Sequence, residues 1–218
     1  MPKVKTPGKR RAGAEYHHGD LRQALVEAAL ELIAVTGTRE VTLRAVARAA
    51  GVSHMAPYNH FADKAALIAA AGAEGFRRLK AEMERRMTAF AVGSPLRLQA
   101  VGVAYVMFAV ENRELFRLMF GPELADTSSH AELAAAASEV FQTLVGALGA
   151  TGLGVTGPAA AAEYALAPWA MVHGLAMLAV ARQLPQKRAN ELEGLARDAT
   201  RLLFEGMKHW PPPSGKKR

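Results

Sequence analysis

Residues 41–68 read VTLRAVARAAGVSHMAPYNHFADKAALI, and the fold is decided by how that stretch divides. Thr42 is a good N-cap, and Val41 with Val46 falls at the N′ and N4 positions of a hydrophobic staple, so a short helix is expected to run to about Ala50. Gly51 permits a sharp reversal, because glycine enters the left-handed region without steric cost. Ser53 is placed to cap a third short helix ending near Phe61, and Asp63 to cap a long one from Lys64 to near Ala91. Upstream, Asp20 with Gln23 forms a start signal, while Leu21, Leu25, Ala28, Ala29 and Leu32 recur on one face until Gly37 stops the helix after Thr36. Three short helices joined by tight turns, the second and third linked by AGVS, have the proportions of a helix-turn-helix reader. Val46, Ala47, Val52 and Phe61 then pack the pair onto the first helix, leaving the outer face of the third free for a major groove.

The helical period continues to about residue 208, and no segment alternates as a strand does. An all-α fold follows. Ile68, Gly72, Phe76, Leu79, Met83, Met87 and Phe90 form the inward stripe of the long helix, which at about 1.5 Å per residue reaches roughly 40 Å. Ser94-Pro95 restarts the chain by the N-cap and N1 rule, and the run AVGVAYVMFAV is apolar on all sides, as a central core helix should be. Residues 112–120 make a short helix stopped by Gly121-Pro122. Ser129 with Glu132 reads as a capping box for a helix to about Leu148. After the glycine linker 149–157, a nearly uncharged helix runs from Pro158 to about Gln183. A final one from about Arg188 to Lys208 places Leu192, Leu195, Ala199, Leu202 and Leu203 on one side.

The chain has 218 residues, 50% apolar, 22% charged and 6% aromatic, a composition that buries a sizeable core and favours helix. Cysteine is absent, which excludes disulfides, thiolate zinc sites, iron–sulfur clusters and a cysteine nucleophile. The net charge of +7 resides in the two ends: residues 1–18 carry five Lys/Arg against Glu15, the tail adds Lys216, Lys217 and Arg218, and the residues between are balanced. Basic arms beside a neutral body supply phosphate contacts through counterion release, or are plain solvated termini. No apolar stretch follows MPKVKTPGKRRAG, so no secretory signal is expected and the cytoplasm is the expected compartment.

The stretch 41–68 resembles the N-terminal DNA-binding pattern of the TetR family of bacterial transcription regulators, and the likeness extends over residues 17 to about 78. The lead-in YHHGDLR and the segments LFRLMFGP and WAMVHG are further similar to the subgroup marked by a C-terminal Trp, His, Gly signature, here Trp169, His173 and Gly174. The resemblance implies a basic arm at 1–16, a reader at 17–78, a regulatory and dimerisation bundle at 79–210 and a basic tail at 211–218. It implies a homodimer whose last two helices pack into a four-helix interface, with two readers on a quasi-palindromic double-stranded operator. It also implies repression relieved by a small hydrophobic effector held in the 95–185 bundle.

Position by position, Thr42 and Arg44 would face phosphate and groove edge, and Ser53, His54, Met55 and Ala56 would form the leading turn of the recognition helix. Tyr58 and His60 would bond the backbone, positioning rather than specifying. Lys64, in a helix's first turn, opposes the macrodipole unless a phosphate docks there; the alternative is a solvated lysine. Pro57 deletes an early helical hydrogen bond, so the recognition helix is expected to start late or to bend. For the effector, the candidate wall is Met107, Phe108, Phe116, Met119, Phe141, Trp169 and His173, with plain core as the other reading of the same residues. Trp169 and His173 share a helix face, either as a packed pair or against a ligand.

Residues 152–157 spell GLGVTG, but what precedes them is helical, and a dinucleotide site needs a preceding strand. The stretch 164–181 approaches membrane-spanning length, yet Pro168, His173 and Gly174 interrupt it, so a buried or interface helix is expected. No H-E-x-x-H, G-x-S-x-G or paired acidic cluster occurs, and His17-His18 lie in the arm, so no enzyme, metal or cofactor is expected. The rival classes are a helical small-molecule-binding protein without operator function and a single-pass membrane regulator.

Overall fold

The computed structural model describes residues 18–126, 129–153, 157–185 and 188–209. The arm at 1–16 with His17, the tail at 211–218 and the middle of GLGVTG lie outside the described residues. Eight α-helices and two short 3-10 helices follow one another with no strand among the described residues. In chain order they are α1 (His18–Thr36), α2 (Leu43–Ala49), a 3-10 helix (Ala56–Asn59), α3 (Lys64–Met87), α4 (Pro95–Glu111), α5 (Arg113–Met119), a 3-10 helix (Pro122–Leu124), α6 (Ala131–Gly149), α7 (Pro158–Val180) and α8 (Ala189–His209).

Local chemistry sets most boundaries. The Thr42 side chain accepts from the Ala45 N–H at 3.0 Å, and Val41 and Val46 are both fully buried as the staple requires. Asp63 accepts from the Ala66 N–H at 2.8 Å, and Ser94 caps α4 ahead of Pro95. Gly37 closes α1 with φ +70°, and Gly51 turns the chain after α2 with φ +69°. Both angles lie where an L side chain is strained.

Three boundaries differ from the sequence expectation. Helix α1 begins at His18, so Asp20 lies within it. Ser129 does not cap α6; the helix starts at Ala131 after His130, and Glu132 points away to the arginines Arg22 and Arg77. The third helix does not run from Ser53 to Phe61, since only Ala56–Asn59 is helical, and in 3-10 form. Pro57 is the cause: without an N–H it gives no bond back to Ser53, and Ala56 N–H and Tyr58 N–H bond the Ser53 and Met55 carbonyls in the tighter i→i+3 pattern.

Helix α4, apolar on all sides over residues 100–110, occupies the centre of the C-terminal bundle, packed by α3, α6, α7 and α8. Helix α3 runs 24 residues, about 36 Å at 1.5 Å per residue, and packs against α1 as well as against α4, α5 and α6. The inward face of α8 is Leu192, Ala196, Thr200, Phe204 and Met207, so Leu202 points outward and is 74% exposed. Helix α7 is the single described helix long and apolar enough to cross a membrane, but Pro168 sits inside it and its buried residues face the bundle.

Candidate nucleic-acid interface and effector cavity

The reader presents a continuous outer surface built on a buried anchor. Phe61 and Pro57 are buried against the domain, whereas Thr42, Arg44, Ser53, His54, Met55, Tyr58 and Lys64 are exposed and Ala56 and His60 half-buried. Met55, an apolar side chain, is 57% exposed, and Tyr58 is 45% exposed. Among the described residues nothing walls in the turn that follows Gly51, where Ser53, His54 and Met55 are exposed. That surface therefore offers a hydroxyl, an imidazole, a thioether and a phenol from one tight turn, beside the N-terminal turn of α2 with Arg44. Lys64 has a structural tie as well: its ammonium donates to the carbonyls of Thr38 (2.9 Å) and Arg39 (3.3 Å), which holds the α1–α2 turn against the start of α3.

An alternating chain of ion pairs joins reader to bundle. It runs Arg22–Glu132–Arg77–Glu74–Arg78–Glu27 and so links α1, α3 and α6. The Arg78 bond holds the Glu27 carboxylate below its ordinary range, and Arg22 and Arg77 outweigh the effect of burial to do the same for Glu132. Each pair is partly exposed and worth well under about 1 kcal/mol, so the chain orients more than it stabilises. Next to it an open cleft of about 1300 Å³ separates the α1–α2 turn from α5, with Arg39, Lys64, Glu114, Arg117 and Glu123 on its walls.

Inside the bundle lies a second cavity of about 320 Å³, between α3, α4, α6, α7 and α8. Its walls are Phe, Met, Leu, Val and Ala side chains with Pro168 and Gly102, three residues with polar groups, Tyr105, Trp169 and Thr200, and no charged residue. Of the seven residues expected at such a wall, Phe141 and Trp169 line it, their rings edge to face at 5.9 Å. Met107, Phe108, Phe116 and Met119 are buried in the packed core beside it and do not reach the void. His173 sits one layer behind, its ring 4.7 Å from Phe120, 5.9 Å from Phe116 and 5.8 Å from Trp169. Its Nδ1 is 2.9 Å from the Tyr105 hydroxyl. Burial lowers the His173 pKa and raises that of Tyr105.

The sequence reading missed Tyr105 and Thr200. Both stand alone as hydroxyls on otherwise apolar helix faces, which was the available signal. Among the described residues no group of three His, Asp or Glu side chains converges as a metal site.

Residues 25–71 match the family described as bacterial regulatory proteins, tetR family, and residues 98–203 match the tetracyclin repressor-like C-terminal domain. No curated protein matches the sequence. Among solved structures, a protein of unknown function from Rhodococcus sp. RHA1 is 34% identical with TM-score 0.71, over 86% of this chain and 97% of that one. A tetR-family bacterial regulatory protein from Rhodococcus RHA1 is 22% identical with TM-score 0.60, over 85% and 95%. The transcriptional regulator FadR from Bacillus subtilis, in complex with stearoyl-CoA, is 19% identical with TM-score 0.61, over 84% and 98%, a likeness of fold.

Proposed function

Since the chain belongs to the TetR family of bacterial regulatory proteins, we propose that it is a DNA-binding repressor, active in the cytoplasm as a homodimer, whose hold on a quasi-palindromic operator is relieved by a small hydrophobic effector. The observation that carries this reading is the exposed turn after Gly51. Its polar and apolar tips face outward while Pro57 and Phe61 fix it from behind. Thr42, Arg44, Tyr58, His60 and Lys64 serve as phosphate contacts that set register, and Ser53, His54, Met55 and Ala56 meet base edges. Met55 and Ala56 suit thymine methyls, and little else in the turn reads bases bidentately, so DNA shape supplies part of the specificity. The Trp169, His173, Gly174 signature supports placing the chain in the subgroup that such a signature marks.

Dimerisation is argued from the outer faces of α7 and α8. Leu166, Trp169, Met177 and Leu178 are exposed on α7 and Leu202 on α8, an apolar surface that a second copy would cover. The domain limits follow: an arm at 1–16, a reader at 17–78, a regulatory and dimerisation unit at 79–210 and a tail at 211–218. The apolar cavity is the effector site, and α3, which reaches from the cavity wall at Phe76 and Met83 to the reader, carries the signal. An effector that favours misplaced readers lowers DNA affinity by its coupling free energy, typically about 1–3 kcal/mol. Nothing in this reading calls for catalysis.

Selection of bound fragments from random DNA tests it. The expected result is one enriched motif with two inverted half-sites about one helical turn apart. Recovery of fragments sharing no motif would contradict operator function and favour a binding protein that keeps the module without using it.

A further inference from the structure

The apolar cavity and the open cleft beside the reader share one wall residue, Phe120. Its ring lies 5.4 Å from that of Phe76, 4.8 Å from Phe116 and 4.7 Å from His173. Three residues on, at the wall of the cleft, Glu123 accepts a hydrogen bond from the Thr38 hydroxyl at 3.1 Å, across 85 positions of sequence. The segment between them is stiff for local reasons. A Cβ at Gly121 would stand 2.5 Å from the Arg117 carbonyl oxygen, so the chain leaves α5 on this path only because residue 121 has no side chain. Pro122 then fixes its own φ, and the N–H groups of Leu124 and Ala125 bond the carbonyls of Gly121 and Pro122 at 3.2 and 3.4 Å. Leu124 is buried against the backbone of α3, where a Cβ on Gly72 would lie 2.4 Å from its Cδ1. Residues 120–124 therefore touch the cavity, the long helix and the reader in turn.

Thr38 is held from two sides at once. Its hydroxyl donates to Glu123 of this segment, while its carbonyl accepts from the Lys64 ammonium at the start of α3, at 2.9 Å. The same carbonyl accepts from the Val41 N–H at 3.3 Å, and Thr42, the cap of α2, is the next residue along. A displacement of residues 120–124 relative to α3 thus pulls on the turn that sets where α2 begins. Given that the cavity is the effector site, as proposed above, we infer that residues 120–124 form a second line of control on the reader, beside α3, with Thr38 as its positioning residue. A molecule that fills the cavity displaces Phe120, and the Glu123–Thr38 bond passes the shift to the α1–α2 turn. Packed interiors move between discrete arrangements rather than yielding continuously, so a small displacement at Phe120 is transmitted and not absorbed.

The test is amide hydrogen exchange, read by mass spectrometry on the full-length protein without DNA, in peptides covering residues 36–46. The N–H groups of Gly37, Val41 and Ala45 bond the Ile33 carbonyl, the Thr38 carbonyl and the Thr42 hydroxyl, so their exchange reports opening of the turn. The cavity is filled in two ways: from its wall by Ala137→Phe, and from solution by naphthalene on the unaltered protein. Slower exchange over residues 98–108 of α4 shows that an occupant is in place. With either occupant, exchange in the turn should change by about fivefold or more. Thr38→Val keeps the shape and loses the hydroxyl, and should cut that response to about twofold or less, whereas Thr38→Ser should restore it. A turn that exchanges at the same rate with the cavity filled, or a response of full size that survives Thr38→Val, would overturn the inference. A cavity that neither occupant enters would overturn it too, since nothing would then displace Phe120. Failure of operator recognition is scored separately by the selected fragments, because this readout involves no DNA.

Discussion

Gly51→Ala isolates the backbone reversal on which the reader depends. Its φ is +69°, and a Cβ built there meets nothing within 4 Å, so the substitution adds no clash and its cost is the left-handed backbone alone. That cost is about 1–2 kcal/mol for an L residue. In a chain of this size each kcal/mol moves the midpoint by about 2–4 °C, so Tm should fall by roughly 2–8 °C. Gly146→Ala is the control. It too meets nothing within 4 Å, but it lies inside α6, where alanine is better than glycine by about 0.5–1 kcal/mol and Tm should rise slightly. Thermal unfolding followed by circular dichroism reads both. The same added methyl group should act with opposite sign at the two positions, and operator affinity should fall only for Gly51→Ala. If Gly51→Ala raised Tm as Gly146→Ala does, the claim that a strained reversal aims the recognition turn would be wrong.

Four further outcomes are expected. Lys64→Ala should weaken binding to every DNA sequence and lower the salt slope by about one unit, as read by fluorescence anisotropy across a salt series; an unchanged slope would leave Lys64 only its tie to the Thr38 and Arg39 carbonyls. Phe116→Ala removes a fully buried ring and should cost about 3–5 kcal/mol by urea unfolding, whereas a loss under about 1 kcal/mol would mean that the site collapses freely. Burial depresses the folded-state pKa of His173, so the unfolded chain takes up its proton first; stability should decline as pH falls below the ordinary value near 6.5, and His173→Gln should flatten that slope. Leu202→Glu should shift the mass measured by light scattering from dimer toward monomer, and a dimer that survives would place the interface off the outer face of α8.

What the sequence made legible was local. Thr42, Asp63 and Ser94 bond N–H groups two or three residues away, and Gly37 and Gly51 answer a need of their own backbone, so nothing distant had to be known. Ser129 failed as a cap for the opposite reason. Its supposed partner Glu132 is drawn off by Arg22 on α1 and Arg77 on α3, and no local pattern announces arginines from other helices. Pro57 warned of trouble in the recognition element but not of its form, because whether the chain bends or tightens depends on how Pro57 and Phe61 are buried.

The cavity was harder. Periodicity tells which face of a helix is apolar, not which apolar faces meet a void, so Phe116, Met107, Phe108 and Met119 look the same in sequence as Phe141. Leu202 misled in the same way: it belongs by period to the stripe of Leu195, yet the true inward face of α8 is rotated toward Ala196 and Thr200. Tyr105 and Thr200 needed the third dimension, since only the packing of α4 against α7 and α8 brings both to the wall of one cavity.

The most direct measurement places a cleaving group on the recognition turn itself. The chain has no cysteine, so Met55→Cys creates one attachment point for an iron chelate, with Val92→Cys as the control on the far bundle. Val92 is 80% exposed. With the chelate on residue 55, cleavage of a selected operator should centre on two neighbouring major grooves about one helical turn apart, and with the chelate on residue 92 it should be near background. Diffuse cutting from both positions alike, or none from residue 55, would contradict the account.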